Sequence, residues 1–183
     1  MASPRGLDAL RKFTKCDVSQ IENPYGGFFD DIKMYSPGAT GCVFGPAITV
    51  QMVEMSDIAS PKLDKHFYLG AEAVIVDGRM RDVNEHRAFV FPVFARGNSV
   101  LRSNSFTRAS RVNVPLQLKN DLWINPGDLV IGHEDGVVVT SPPLIEQVVA
   151  LCQKRAEIGE KTFAGLRNGE AMGPLIKSLR KEK

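Results

Sequence analysis

The 183-residue chain is poor in cysteine and tryptophan and contains no long apolar run. Its three cysteines are far apart, odd in number and without metal-ligand spacing, which favours reduced thiols over a disulfide framework. No apolar run reaches the roughly 18 residues that a membrane-spanning helix needs. The opening stretch MASPRGLDALRKF has no apolar core of the kind that a signal peptide carries. We therefore expect a soluble, cytoplasmic protein.

The sequence also lacks a strong charge of either sign. The net charge is +2, and no basic stripe is interleaved with aromatic residues as a nucleic-acid surface usually requires. We therefore expect no nucleic-acid partner. A composition of 43% hydrophobic and 24% charged residues is that of an ordinary globular protein, and the length favours one domain.

The order of apolar patterns predicts an α/β fold with a mixed sheet and with N-terminal and C-terminal helices. GLDALRKF has apolar residues at helical spacing, and the stretch from PPLIEQ to LRNG has the same periodicity. Between them, β-branched and apolar runs predict strands in CVFGPAITVQMV, EAVIVDG, FVFPVFARG and the stretch from RVNVPL to VVVTSP. Pro92 favours an edge position or a bulge for the FVFPVFARG strand.

The strand EAVIVDG leads directly into the charged segment GRMRDVNEHR. We expect a βαβ unit from AITVQMV to EAVIVDG, with Ser60 and Pro61 opening a short crossover helix. Open α/β sheets bind ligands beyond the carboxyl ends of their strands, so we expect the charged segment to lie in a ligand-binding crevice at the end of this strand. Gly78 would let the chain turn sharply there.

Arg81 and Asp82 are the candidate site residues in this segment. Asp82 offers the hard oxygen ligand that Mg²⁺ or Mn²⁺ prefers, and Arg81 offers a planar fork for a carboxylate. Together they suit a 2-oxo acid bound beside a divalent cation. The plainer interpretation of two adjacent residues is an ion pair at a loop, and spacing alone does not exclude it.

Other conspicuous side chains receive structural interpretations first. His86 and Glu85 would form surface contacts, Asp128 and Asp135 would stabilise turns, and Arg96 would pack or contact another subunit. Trp123 would belong to the core or to an interface. Cys16 and Cys152 would be small apolar fillers of helices.

Longer motifs carry a resemblance to a known family. YLGAEAVIVDGRMRDVNEHRAFVFPVFARG and INPGDLVIGHEDGVVVTSP resemble the regulator of ribonuclease activity A family, whose other members are class II aldolases acting on 4-hydroxy-4-methyl-2-oxoglutarate. CDVSQ and GPAITVQ resemble it more loosely. The resemblance covers most of the chain. As far as SPKLDKHF, the sequence resembles fungal-type members of the family.

The resemblance implies a swivelling β/β/α fold, a homotrimeric ring and sites between subunits. It implies that Arg81 contacts the substrate and that Asp82 anchors the divalent cation, Mg²⁺ or Mn²⁺, largely through waters. The implied activity is retro-aldol cleavage of a 4-hydroxy-2-oxo acid to pyruvate, with oxaloacetate decarboxylation as a possible second activity.

One interval departs from the family pattern. Residues 1–183 read as a single aldolase-like domain that lacks the family's central strand and glycine-loop helix between about residues 55 and 68. A complete βαβ unit needs about 30 residues, and EMSDIASPKLDKHF is too short for the missing elements as well as a crossover. A deletion, an alternative transcript and a misjoined gene model would all leave this pattern at Tyr68.

The short interval leaves three hypotheses open. In the first, SDIASPKLDK replaces the lost loop and the chain remains a metal-dependent lyase. In the second, the chain is a non-catalytic, protein-binding regulator. In the third, the chain is incomplete and exposes apolar surface and an unpaired sheet edge.

Overall fold

The computed structural model describes residues 27–38, 41–63, 70–118 and 121–180. The strands are β1 (Lys33–Ser36), β2 (Val43–Pro46), β3 (Val50–Glu54), β4 (Val74–Met80), β5 (Val93–Asn98), β6 (Thr107–Val112), β7 (Leu116–Gln117), β8 (Trp123–Ile124), β9 (Leu129–His133) and β10 (Gly136–Thr140). The α-helices are α1 (Val83–Ala88), α2 (Ile145–Arg167) and α3 (Met172–Arg180). Short 3₁₀ turns occupy Ser103–Ser105 and Pro142–Leu144.

The strands form two three-stranded sheets and two ribbons. One sheet has the order β1-β5-β4 and the other β10-β9-β2, while β3 pairs with β6 and β7 with β8. Only β4 and β5 run parallel among these pairs, and α1 makes the connection between them. The mixed α/β class with C-terminal helices, predicted from the sequence, is confirmed. The predicted N-terminal helix lies outside the described residues.

The β9–β10 hairpin organises the core because both of its faces are buried. One face packs under helix α2, where Leu129, Ile131 and Val138 meet Val148 and Cys152. The opposite face packs against the sheet that contains β5. That second cluster consists of Phe29, Ile32, Phe94, Ile124, Val130, Val137 and Val139. The interpretation of Cys152 as an apolar filler is confirmed, while Cys16 lies outside the described residues.

The βαβ unit is formed by elements that follow the predicted ones in the chain. β3 and β4 belong to different sheets, so the predicted crossover between them is wrong. Instead β4, α1 and β5 form the parallel unit. The single strand predicted over CVFGPAITVQMV is also wrong, since β2 and β3 split it between two sheets.

Strand β5 is the central strand of its sheet, so the edge position favoured by Pro92 is wrong. The alternative, a bulge, agrees with the shift of register between Met34 and Ser36 of β1, opposite Phe94 and Val93. Pro92 lies just before the strand and contributes only its carbonyl, which accepts a hydrogen bond from the N–H of Val74 at 3.1 Å. The missing N–H of proline therefore leaves the ladder intact.

Among the described helices, none has both the length and the apolar composition that crossing a membrane would require.

Candidate active site at the end of strand β4

The chain reverses at Asp82, immediately after β4 ends at Met80. Asp82 has a φ of 61° and stands at the N-cap of α1. Its carbonyl accepts hydrogen bonds from the N–H groups of Glu85 and His86, both at 3.1 Å. Aspartate is one of the few residues that enter the left-handed region readily. The turn predicted at Gly78 is therefore made at Asp82, and Gly78 remains within the strand.

The structure brings the two predicted site residues together. Nε of Arg81 lies 3.1 Å from Oδ2 of Asp82, and the side chains are 43% and 44% exposed. The plainer interpretation, an ion pair at a loop, is thus present in the molecule. An exposed pair of this kind contributes only about 0–1 kcal/mol to stability. Both charged groups remain accessible to a small ligand from solvent.

Asp82 is the only predicted metal ligand, and its surroundings limit the type of cation site. In the described ranges, no group of three or more His, Cys, Asp or Glu side chains is arranged to hold a metal ion. A cage built entirely from protein ligands is therefore absent from that part of the chain. Mg²⁺ is often held by one or two carboxylates with several waters retained. The exposed carboxylate of Asp82 fits that second type of site.

Arg96 and Arg79 secure the strand that leads to these residues. Nε of Arg96 donates to Oδ1 of Asp77 in an ion pair across β4 and β5, and Nη1 donates to the carbonyl of Asp30 at 2.8 Å. Nη1 of Arg79 donates to the carbonyl of Asn98 at 3.1 Å. The packing role assigned to Arg96 from the sequence is confirmed. Its partner Asp77 was not singled out, because a contact between neighbouring strands leaves no local sequence signal.

The neighbours of the pair on α1 have backbone roles in the turn. The N–H of His86 donates to Asp82, and its carbonyl accepts from the N–H of Phe91 at 3.1 Å. Glu85 is exposed. The structural interpretation of both residues agrees with these positions.

The turn interpretation of Asp128 is confirmed, and Asp135 occupies the β9–β10 turn. The buried Asp128 accepts a hydrogen bond through Oδ2 from the N–H of Asn125 at 2.7 Å. Oδ2 of Asp135 lies 3.5 Å from Nδ1 of His133. Trp123 is 53% exposed, so its placement in the core is wrong and its interface role stays a prediction.

The interval after β3 is organised by Arg108, which sequence reasoning missed. Its guanidinium donates to the carbonyls of Asp57, Ser60 and Pro61. The carboxylate of Asp57 accepts from the hydroxyl of Ser60 at 2.7 Å and from the N–H groups of Ala59 and Ser60 at 3.0 Å. Within residues 55–63 these bonds replace the helix predicted to start at Ser60.

A family model matches the segment that contains the pair. Residues 63–139 match the RraA-like family model, described as Aldolase/RraA. The resemblance stated from the sequence is confirmed over this interval, which includes Arg81 and Asp82. A fungal subtype and a deletion before Tyr68 stay predictions.

One curated relative is similar over about half of the chain. A protein of Halalkalibacterium halodurans named "Putative 4-hydroxy-4-methyl-2-oxoglutarate aldolase" is 36% identical over 87 residues. The match covers 48% of this chain and 40% of the relative. The chain therefore spans less than half of the length of this curated relative.

Two solved structures share the fold over nearly the whole chain. An uncharacterized protein from Pseudomonas syringae pv. tomato has a TM-score of 0.74 at 20% identity, covering 95% of this chain and 98% of that one. Streptomyces coelicolor RraAS2, titled an unusual member of the RNase ES inhibitor RraA protein family, has a TM-score of 0.68 at 18% identity. That match covers 91% of this chain and all of the other. At these identities the similarity shows the fold alone.

Proposed function

We propose that this chain, which matches the RraA-like family over residues 63–139, is a divalent-metal-dependent lyase that cleaves a 4-hydroxy-2-oxo acid to pyruvate. The observation that carries the proposal is the convergence of Arg81 and Asp82, 3.1 Å apart, at the exposed end of β4. The printed name of the Halalkalibacterium relative supports the substrate class.

Arg81 would bind the carboxylate of the 2-oxo acid. Its guanidinium carries a permanent charge and a planar fork of donors, which match the two oxygens of a carboxylate. Nε already contacts a carboxylate, that of Asp82, and 43% of the side chain is open to solvent. A substrate carboxylate can therefore reach the guanidinium without unfolding the loop.

Asp82 would hold the divalent cation, Mg²⁺ or Mn²⁺. Its carboxylate is a hard oxygen donor, and 44% of the side chain is accessible to a hydrated ion. When bound, the cation supplies positive charge against the enolate oxygen that develops during cleavage. The turn into α1 fixes the backbone of Asp82, and the carboxylate lies 3.1 Å from Nε of Arg81.

The proposed reaction breaks the bond between C3 and C4 of the substrate. The 4-hydroxyl gives its proton to a solvent water and becomes a carbonyl, while the electrons of the broken bond pass to the enolate of pyruvate. Protonation of C3 then gives pyruvate. Arg81 would keep the carboxylate in place through both steps, so the charge that it neutralises does not repel the enolate.

Oxaloacetate decarboxylation is proposed as a second activity of the same site. Loss of carbon dioxide from C3 of oxaloacetate leaves the same pyruvate enolate and requires the same positive charges. A single pair of residues would therefore serve both substrates. Loss of one activity without the other on changing Asp82 would contradict this shared site.

We also propose that a homotrimer in the cytoplasm completes the site. The support is the openness of Arg81 and Asp82, which leaves room for groups of a neighbouring subunit. Sedimentation velocity on the purified chain tests this assembly. A single species with the mass of a monomer at working concentration would contradict it.

A non-catalytic, protein-binding role is the second candidate function. Its support is a group of exposed apolar side chains at one end of the β3–β6 ribbon: Met55, Ile58 and Phe106. The N–H of Met55 donates to the carbonyl of Phe106 at 2.8 Å, so two of these residues are neighbours. Exposed apolar groups of this size are typical of surfaces that bind other proteins.

Pyruvate release distinguishes the two functions. The purified chain is supplied with 4-hydroxy-4-methyl-2-oxoglutarate or oxaloacetate, with Mg²⁺ or with EDTA, and Asp82→Asn is compared with the wild type. A lyase would release pyruvate only with the metal, and Asp82→Asn would lower turnover at least about 100-fold. Asp135→Asn is the matched control, because it removes an exposed charge from a different sheet.

Two results would contradict this proposal, the first for the activity and the second for the site. One is no turnover from wild-type protein whose circular dichroism shows folded strands and helices. The other is equal turnover by the wild type and Asp82→Asn. The first result would favour the protein-binding role, and the second would place catalysis at other residues.

A further inference from the structure

Strand β4 contains an irregularity just before the proposed site. Val76 pairs with Ala95, but Arg79 pairs with Gly97. Asp77 and Gly78 together therefore lie opposite the single residue Arg96. This is the two-against-one arrangement of a β-bulge, which occurs rarely between parallel strands and often beside active sites.

Arg96 connects three separate segments at this bulge. From β5 its Nε donates to Asp77 on β4, and its Nη1 donates at 2.8 Å to the carbonyl of Asp30 in the turn before β1. The Arg96 side chain is 17% exposed and that of Asp77 is 38% exposed, so the arginine is largely covered while its partner carboxylate remains open to water. Lysine could not make both contacts with the same geometry, because it lacks the planar fork.

The bulge sets the alignment of the residues that follow it. Beyond it, Met80 pairs with Asn98, and the N–H of Ser99 donates to the carbonyl of Met80 at 2.8 Å. Arg81 is the next residue. A one-residue change of register would send the side chains after the bulge to the other face of the sheet. The direction of Arg81 and Asp82 therefore depends on the bulge.

We propose that Arg96 is a positioning residue for Arg81 and Asp82, acting through Asp77 and the bulge of β4. The inference rests on the proposed lyase function. Arg96 itself would touch neither substrate nor cation. It would hold the extra residue of β4 in place, so that the arginine fork and the carboxylate at the strand end face the same ligand.

The test compares Arg96→Gln, Arg96→Lys, Asp77→Asn and the double variant Asp77→Asn with Arg96→Gln. Arg111→Gln is the matched control, because Arg111 is an exposed arginine on β6, outside the β1-β5-β4 sheet. Binding of Mn²⁺ in the presence of oxalate, a planar mimic of the pyruvate enolate, is measured by electron paramagnetic resonance. The kcat and KM for oxaloacetate are measured separately, well below each variant's unfolding temperature.

We expect Arg96→Gln to weaken Mn²⁺–oxalate binding and to lower kcat/KM by about 10- to 100-fold, as supporting residues around metal sites do. Arg96→Lys should recover part of this loss. Asp77→Asn should resemble Arg96→Gln, and the double variant should be no worse than the poorer single variant, since both changes break the same linkage. Arg111→Gln should match the wild type.

Wild-type binding and turnover by folded Arg96→Lys and Asp77→Asn would overturn the inference and leave Arg96 a purely stabilising residue. These two variants carry the test if Arg96→Gln does not fold. A wild type that neither binds Mn²⁺–oxalate nor releases pyruvate would instead overturn the lyase itself, and the positioning role would fall with it. The two failures are therefore distinguishable by the behaviour of the wild type.

Discussion

Nε of Arg81 and Oδ2 of Asp82 lie 3.1 Å apart, although neighbouring side chains on a strand point to opposite faces. The left-handed conformation of Asp82, with a φ of 61°, turns the chain and lets the two side chains converge. An ion pair that leaves both groups over two-fifths exposed contributes little stability. The turn thus presents two accessible charges of opposite sign at one point of the surface.

Arg81→Lys should separate substrate binding from chemistry. Lysine retains the positive charge but not the fork that binds a carboxylate at two points. We expect KM for oxaloacetate to rise about 10-fold, equivalent to about 1.4 kcal/mol of binding, with kcat changed less. Steady-state kinetics at saturating Mg²⁺ measures both constants. Arg111→Lys is the control, and unchanged KM in Arg81→Lys would argue against carboxylate binding by Arg81.

Val90→Gly should stabilise the chain. Val90 has a φ of 51° just after α1, where its N–H donates to the carbonyl of Arg87 and the N–H of Phe91 donates to that of His86. This is a Schellman motif, whose left-handed position usually holds glycine. A β-branched residue there is strained, and relief should raise the free energy of unfolding by about 1 kcal/mol.

Denaturant unfolding measures the effect of this substitution. Val90→Ala is the control, because alanine loses the same branched side chain but still has a Cβ in the left-handed region. It should gain less than glycine. A Val90→Gly protein that is less stable than the wild type would show that contacts of the half-exposed valine outweigh the backbone strain.

Local sequence patterns predicted most strands from β2 to β10 and helix α2, but not β1, α1 or the way the elements assemble. The β9–β10 hairpin and the Asp128 turn follow from short signals in INPGD and HEDG, and both are present. The crossover was misplaced because β3 pairs with β6, which follows both β4 and β5 in the chain, while β4 pairs with β5 in another sheet. Strand partners depend on such distant contacts, which apolar periodicity does not encode.

In the candidate site, too, local features were predicted from the sequence and contacts between distant segments were not. Arg81 and Asp82 were found from their residue types and from a family motif. The bulge opposite Arg96 and the three carbonyls around Arg108 were not, because each joins segments more than fifteen residues apart. Val90 could have been noticed only with the helix end known, since valine itself gives no signal for a left-handed turn.

Gly132→Ala should destabilise the core. A Cβ at Gly132 would lie 2.7 Å from Cζ of Phe94, a fully buried ring between the two main sheets. The ring cannot retreat without disturbing its packed neighbours, so the free energy of unfolding should fall by about 1–3 kcal/mol.

The control for this prediction is a glycine-to-alanine substitution at a position where an added Cβ has no close neighbour. A Cβ at Gly159, within helix α2, would meet nothing within 4 Å. Gly159→Ala should therefore raise stability by about 0.5–1 kcal/mol through helix propensity. Thermal unfolding of both variants measures the contrast, and a stabilising Gly132→Ala would contradict the described packing around Phe94.

Asp57→Asn should change how the free energy of unfolding depends on pH. The hydroxyl and N–H of Ser60 lower the pKa of the Asp57 carboxyl below its ordinary value of 3.8. The N–H of Ala59 and the positive charge of Arg108 lower this pKa further, whereas desolvation raises it. Because the folded pKa is lower than the unfolded one, the ionised carboxylate stabilises the fold above about pH 3.8. That stabilisation is lost as the pH falls through the folded pKa.

Unfolding free energies of the wild type and Asp57→Asn, measured between about pH 2 and pH 6, test the linkage. We expect the wild type to be more stable at pH 6 and the difference to shrink toward pH 2 as the aspartate takes up its proton. Ser60→Ala, which removes the hydroxyl donor alone, should show a smaller difference with the same pH trend. A constant difference across this range would mean that Asp57 supports the loop through its shape and neutral hydrogen bonds. The carboxylate charge beside Ser60 and Arg108 would then have no part in holding residues 57–61 against β6.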